Sequence, residues 1–238
     1  MRLQRVLLDR RKALFYIGAC AALAGCPRVA PLVPMPLGAG NRDSAAVWSL
    51  ATEPHTHMAI RFRWKYQDAD KRWGGRGQAR IAPPDSLRFD YVGPLGLGAG
   101  AAAVVADSTI WADPEKNFRS LVPAVRMLWA GLGIVRPPRP DAAVFRGGGP
   151  DSSFQIWRFV QDADTLDYRQ TRSSPGVLEA EWRQQGKVLA RSRTELDARG
   201  RPASARIDFP EGRARFEFTV VAIDTTAAFD PAIWHGRR

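Results

Sequence analysis

The stretch HMAIRFRWKY, residues 57–66, decides the fold: Met58, Ile60, Phe62, Trp64 and Tyr66 fall on one side of an extended chain, and Ala59, Arg61, Arg63 and Lys65 on the other. Successive side chains of a strand point to opposite faces, so this alternation describes a strand with one face over an apolar interior and the other in water. The pattern recurs. Gly77, Ala79 and Ile81 alternate with Arg76, Gln78 and Arg80; Leu87, Phe89 and Tyr91 alternate with Arg88 and Asp90. Further on, Leu178, Ala180 and Trp182 alternate with Glu179, Glu181 and Arg183, and Val188, Ala190, Ser192, Thr194 and Leu196 read as a second inward set. Residues 203–209 and 214–222 repeat it, the latter with Phe216, Phe218 and Val220 inward.

Turn-forming clusters separate the runs: Asp70 to Gly75, Pro83-Pro84-Asp85, Gln185-Gly186, Ala198-Arg199-Gly200 and Glu211-Gly212. Short connections between one-sided strands describe an antiparallel sheet rather than a βαβ fold. Two segments break the period. In Arg42–Glu53, Ala46, Val47, Leu50 and Ala51 have helical spacing; in Leu121–Leu132, Val125, Leu128, Trp129 and Leu132 form one stripe. The expected class is mainly β (α+β): a large curved sheet of about ten to eleven strands, one N-terminal helix, and one helix covering or plugging the concave face. Large aromatic residues mixed with Ala and Gly on that face either leave room for a ligand or mesh into a packed core.

The front of the chain reads differently. Arg2, Arg5, Arg10, Arg11 and Lys12 against Asp9 precede an uncharged apolar run, Ala13 to Gly25. A basic region, a short apolar run and a small-residue exit read as a secretory signal peptide, too short for a spanning helix of roughly 20 residues. Leu23-Ala24-Gly25-Cys26 resembles a bacterial lipobox. The resemblance implies that residues 1–25 are removed and that Cys26 is acylated and becomes the mature N-terminus, so that membrane lipid is one partner. Cys20 would leave with the signal. Residues 26–41, rich in Pro and Gly, read as a semi-extended tether, and 42–238 as one domain. By the sorting preference of such lipoproteins, the resemblance implies that Pro27, as second mature residue, leans towards the outer membrane, facing the periplasm. The chain carries +11, and its leader holds five basic residues and one acidic, so the remainder stays basic. Its Arg residues are scattered along the strands, which favours a solvated basic exterior over a nucleic-acid groove.

Few chemistries fit. Gly98-x-Gly100-x-x-Ala103 imitates a dinucleotide fingerprint, but β-branched residues and Pro114 follow it, not a crossover helix. His55 and His57 lack a third ligand, and His235 sits in a charged tail, so neither a metal centre nor a Ser–His–Asp triad is expected. Asp162, Asp164 and Asp167 read as a hairpin. No enzyme activity, catalytic residue, metal or other cofactor is expected.

The run from the lipobox through the tether, first helix and RWKY strand reaches Arg80, Ile81, Pro84, Leu87, Arg88, Asp90, Gly93, Pro94 and Gly96 in order. In this order and spacing the chain resembles the LolA/LolB-like lipoprotein-localisation superfamily, from Asn41 to about Gly133. The resemblance implies an incomplete antiparallel β-barrel closed by helices around a cavity for acyl chains of lipids or lipoproteins, with a periplasmic carrier protein as a partner. Phe62, Trp64, Phe89, Trp111 and Trp129 are the expected cavity residues. Leu95 and Leu97 hold the place of the apolar residue on the receptor's protruding loop. The alternative is a structural or sensing envelope lipoprotein with a packed core and a protein partner.

Overall fold

The computed structural model describes residues 31–33, 36–96 (Leu95 by its backbone), 98–106, 108–116, 118, 124–148 and 152–234. The architecture below is that of the compact unit Met35–Arg238. The signal peptide, Cys20, Cys26, Leu97 and His235 lie outside the described residues.

Thirteen strands form one antiparallel sheet among the described residues. They are β1 (Gly38–Ala39), β2 (Met58–Gln67), β3 (Arg72–Ala82), β4 (Ser86–Val92), β5 (Gly100–Val105), β6 (Ser108–Asp113), β7 (Ala143–Gly147), β8 (Phe154–Gln161), β9 (Asp164–Thr171), β10 (Val177–Gln184), β11 (Lys187–Leu196), β12 (Pro202–Phe209) and β13 (Ala214–Asp224). The order across the sheet is β1-β7-β8-β9-β10-β11-β12-β13-β2-β3-β4-β5-β6. The first and last strands do not pair with each other, so the barrel is incomplete, as the resemblance implies. The count exceeds the expected ten to eleven because β1 is only two residues long and β6–β9 alternate weakly.

The alternation read from residues 57–66 holds in three dimensions. Ile60, Phe62, Trp64 and Tyr66 of β2 are buried, and Arg61, Arg63 and Lys65 exposed. Glycines on β3 make room for the rings. Phe62 lies opposite Gly77, where a Cβ would come within 2.3 Å of the ring; at Gly75 a Cβ would sit 1.9 Å from the Val92 carbonyl oxygen. Phe62 meets Phe89 at 5.2 Å and Phe218 at 5.1 Å, and Trp64 meets Tyr91 edge-on at 5.9 Å.

Two helices among the described residues lie on the inner face. Helix α1 (Arg42–Leu50) starts at Asn41, whose side chain accepts from the Ser44 amide at 2.8 Å. Its buried face corrects the sequence expectation. Ala45, Trp48 and Ser49 turn inward, while Val47 and Leu50 are 67% and 53% exposed. Trp48 decides the rotation: its ring stacks on Trp157 at 5.9 Å, meets Tyr168 at 5.9 Å, and its N–H donates to Gln170 at 3.0 Å. Helix α2 (Val125–Gly131) is buried nearly all round, with Met127, Leu128, Trp129 and Ala130 inaccessible, as befits a core helix rather than a surface stripe. It packs on β10, β11 and β12. Gly133, at φ +80°, ends it: the Gly133 and Ile134 amides return to the Ala130 and Trp129 carbonyls, both at 3.0 Å. The Thr194 hydroxyl, buried on β11, also donates to the Ala130 carbonyl, at 2.8 Å.

The scattered Arg residues are mostly not simply solvated. They pair with carboxylates in rows across the outer face. One row runs Arg158–Asp167–Glu181–Arg191–Asp208–Arg215 over six adjacent strands. Asp167 and Glu181 within it are 0% exposed, because Arg158, Arg183 and Arg191 cover them. Opposite charges face each other along most of the row, and Arg183 bridges the two facing acids, Asp167 and Glu181.

Candidate functional site: the open end of the half-barrel

At one end of the sheet, three hairpins and the start of α2 surround a cleft of about 540 Å³. Tyr66, Asp68, Ala69 and Asp70 come from the β2–β3 hairpin; Trp182 and Leu189 from β10 and β11; Phe209, Glu211, Gly212 and Ala214 from the β12–β13 hairpin; Ala124 precedes α2. These strands are neighbours in the sheet, so the cleft is the mouth of the half-barrel.

A bulge shapes its wall. Trp182 pairs with Ala190 and Arg183 with Val188, so Leu189 is the extra residue of β11. The inserted residue breaks the alternation and places Leu189 in the cleft lining, as bulges re-aim side chains beside binding sites. A regular reading of residues 188–196 puts Val188 inward and misses Leu189; no residue type in the sequence signals the bulge. Trp182 and Tyr66 were legible as inward residues, but not as the end of the interior.

The floor is apolar and the rim acidic. The Trp182 ring carries the Arg126 guanidinium at 5.5 Å, and its own N–H has no hydrogen-bond partner among the described residues. Asp68 accepts from the Asp70 and Lys71 amides at 2.9 and 2.7 Å; these bonds, the Asp70 amide's above all, hold its carboxyl below the usual range. Burial, with Asp68 beside it, pushes the Tyr66 phenol up to about 12. Glu211 pairs with Lys187 at 2.9 Å. Trp73, half exposed, stands beside Tyr66 at 6.3 Å under Lys71. The cleft thus has an apolar floor with carboxylates around its outer end.

The expected cavity residues separate into two places. Phe62, Trp64, Phe89 and Trp129 are brought together in the interior, behind the mouth, with their rings against one another or against neighbours. Trp129 donates to the Ala106 carbonyl at 2.7 Å, and Arg136 lies over its ring at 4.9 Å. Trp111 stands elsewhere. On β6 it lies opposite Ala103, which also faces Arg88, so it belongs to the outer face. The irregularity at Ala103/Val104 leaves Ile110 unpaired and sets this phase. Arg88 covers the Trp111 ring at 5.2 Å, the Trp111 indole N–H donates to the Trp234 carbonyl at 2.9 Å, and Trp111 lines a second, more polar cleft of about 490 Å³ with Tyr91, Gly100 and Asp113. Leu95 lies in a 3₁₀ turn, Pro94–Gly96, directly after β4. His57 stacks on Phe229 at 5.0 Å, and no group of metal-ligating side chains occurs among the described residues. Asp162 takes φ +50° in the β8–β9 turn, the conformation its hairpin reading required. The Gly100 segment is an antiparallel strand.

No protein-family model and no curated protein matches the chain in sequence. In structure it is similar to a LolA superfamily protein from Nitrosomonas europaea, with TM-score 0.52 and 10% identity over 82% of this chain and 98% of that one. It is equally similar to a domain described as an outer membrane lipoprotein-sorting protein from Vibrio parahaemolyticus, with TM-score 0.52 and 8% identity over 82% and 97%. The chain therefore has the LolA-like fold that the Arg80–Gly96 motif implies.

Proposed function

We propose that this chain is an envelope lipoprotein, held to the outer membrane through acylated Cys26, that receives an acyl chain of a lipid or lipoprotein at the open end of its half-barrel, in the manner of a LolB-like carrier or receptor. The observation that carries the reading is the mouth itself: about 540 Å³ of cleft, floored by Tyr66, Trp182, Leu189 and Phe209, in a fold shared with lipoprotein-sorting domains. Ligand sites commonly occupy about 300–1,000 Å³. Each methylene withdrawn from water contributes roughly 0.8 kcal/mol, so a short buried length of chain offsets the cost of association. Asp68, Asp70 and Glu211 at the rim disfavour an anionic head, so the favoured cargo presents a neutral or cationic polar end. The carrier would hand the chain to, or take it from, a periplasmic protein. No catalytic step is assigned.

The test is native mass spectrometry of the purified full chain, followed by titration with a neutral fluorescent acyl probe. A bound lipid and saturable uptake are expected, with Leu189→Asp reducing probe affinity at least tenfold while the thermal melt stays intact; a fatty-acid carboxylate should bind more weakly than its neutral ester. Absence of lipid and probe binding contradicts the reading. That result would favour the alternative, a structural or sensing lipoprotein with a protein partner, for which the meshed rings of Phe62, Phe89, Phe216 and Phe218 speak.

A further inference from the structure

Charge on the outer face is arranged in two ways. From β8 to β13, every strand Arg has a carboxylate partner, even where like charges face each other as Arg193 and Arg206 do: Arg169 pairs with Glu179, Arg193 with Glu179 and Glu195, Arg206 and Arg215 with Asp208. Beside β3, Asp90 of β4 pairs with both Arg80 and Arg88, which face each other across the two strands. Between these regions the rule fails. Arg63 of β2 and Arg76 of β3 lie directly opposite each other, two like charges at the closest cross-strand position. Their row continues to Thr219 on one side and Val92 on the other, neither of them charged. The nearest acid in that row is Glu195, on β11, three strands from Arg63. Off the row, Glu217 and Asp90 stand diagonal to Arg63 and Arg76, but they are engaged by Arg215 and by Arg80 and Arg88.

Lys65 and Arg72 extend the group along the same two strands, and Arg61 adds to it beside Asp224. Glu217 stands opposite Lys65 and is shared with Arg215 at 3.7 Å. All five cations are exposed; Arg63, Lys65, Arg72 and Arg76 make no ion pair or side-chain hydrogen bond among the described residues. Opposed like charges destabilise a strand pair, so the arrangement does not serve the sheet.

We infer that this patch is a docking surface for an anionic bilayer, with Arg61, Arg63, Lys65, Arg72 and Arg76 resting against lipid phosphates. The cations repeat about 6.7 Å apart along a strand and about 4.8 Å across, an open array for several headgroups and not a pocket for one phosphate. Val92, 43% exposed and adjoining Arg76, adds an apolar contact at the same place. Attraction of a cation to such a surface is worth about a fivefold gain in partition for each Lys or Arg. The inference does not depend on the acyl site: contact through this face orients the domain whether or not the mouth holds a chain.

The test is sedimentation of the full chain with vesicles of phosphatidylcholine alone and of phosphatidylcholine mixed with phosphatidylglycerol, read as the ratio of the two partition coefficients. The leader, with its five basic residues, is the same in every variant, so the change in the ratio isolates the substituted charges. Arg63→Gln with Arg76→Gln should lower the ratio roughly thirtyfold, and the melting temperature should hold or rise because a repulsion is removed. Arg193→Gln with Arg206→Gln removes the same net charge from paired positions and should lower the ratio far less. Equal losses from the two double variants, an unchanged ratio in the first, or binding to soluble heparin with none to the mixed vesicles would each overturn the inference.

Discussion

Tyr66 and Tyr91 show what the interior does to single groups. Burial raises both phenols to about 12, with Asp68 adding to the effect at Tyr66, whereas an unfolded tyrosine titrates near 10. The fold favours the neutral phenol. Its contribution to stability is therefore complete below about pH 10 and is lost as the pH climbs towards 12. Ultraviolet titration of tyrosinate should show late ionisation that Tyr66→Phe and Tyr91→Phe each reduce by one step. Ionisation of both near pH 10 would contradict the burial assigned to them. At Tyr91 the packing is tight as well: a Cβ on Gly100, its cross-strand partner, would lie 2.4 Å from the hydroxyl oxygen.

Among the elements, β2 and β4 were legible because each alternates along its length, and every inward residue named from residues 57–66 is buried; β3 was legible only from Arg76 on, because Arg72–Gly75, read as part of a turn, are its first four residues. The first helix was legible as a helix but not in its orientation. Val47 and Leu50 have the hydrophobicity and the spacing of a buried stripe, yet the stacking of Trp48 on Trp157 and Tyr168 outweighs them, and small Ala45 and Ser49 let the helix approach the sheet. The two readings of the helix make opposite forecasts. Trp48→Ala should cost about 3 kcal/mol, whereas Leu50→Ala should fall within about 0.5 kcal/mol of neutral. Urea denaturation of the two variants decides the matter; a larger loss in Leu50→Ala would restore the stripe seen in the sequence. The bulge at Leu189 was illegible for a related reason. Pairing between strands creates it, and each strand taken alone reads as regular.

For the whole molecule, the open antiparallel architecture was visible from the succession of one-sided strands and hairpin turns. The rows of charge on its outer face were not, because they depend on the register between facing strands, which alternation within one strand does not record, as with Arg158 against Asp167 and Asp208 against Arg191. The interior was half legible. Phe62, Trp64, Phe89 and Trp129 were recognisable as inward aromatic residues, but the boundary between packed core and open mouth follows from where hairpins end, which alternation does not record. A half-barrel with meshed rings behind and a greasy opening at one end predicts that a guest chain enters from that end only. The most direct measurement is photo-cross-linking with a neutral acyl lipid that carries a diazirine at the tip of its chain. Adducts on Trp182, Leu189 or Phe209 are predicted; adducts confined to the outer face, or none at saturating lipid, would contradict the account.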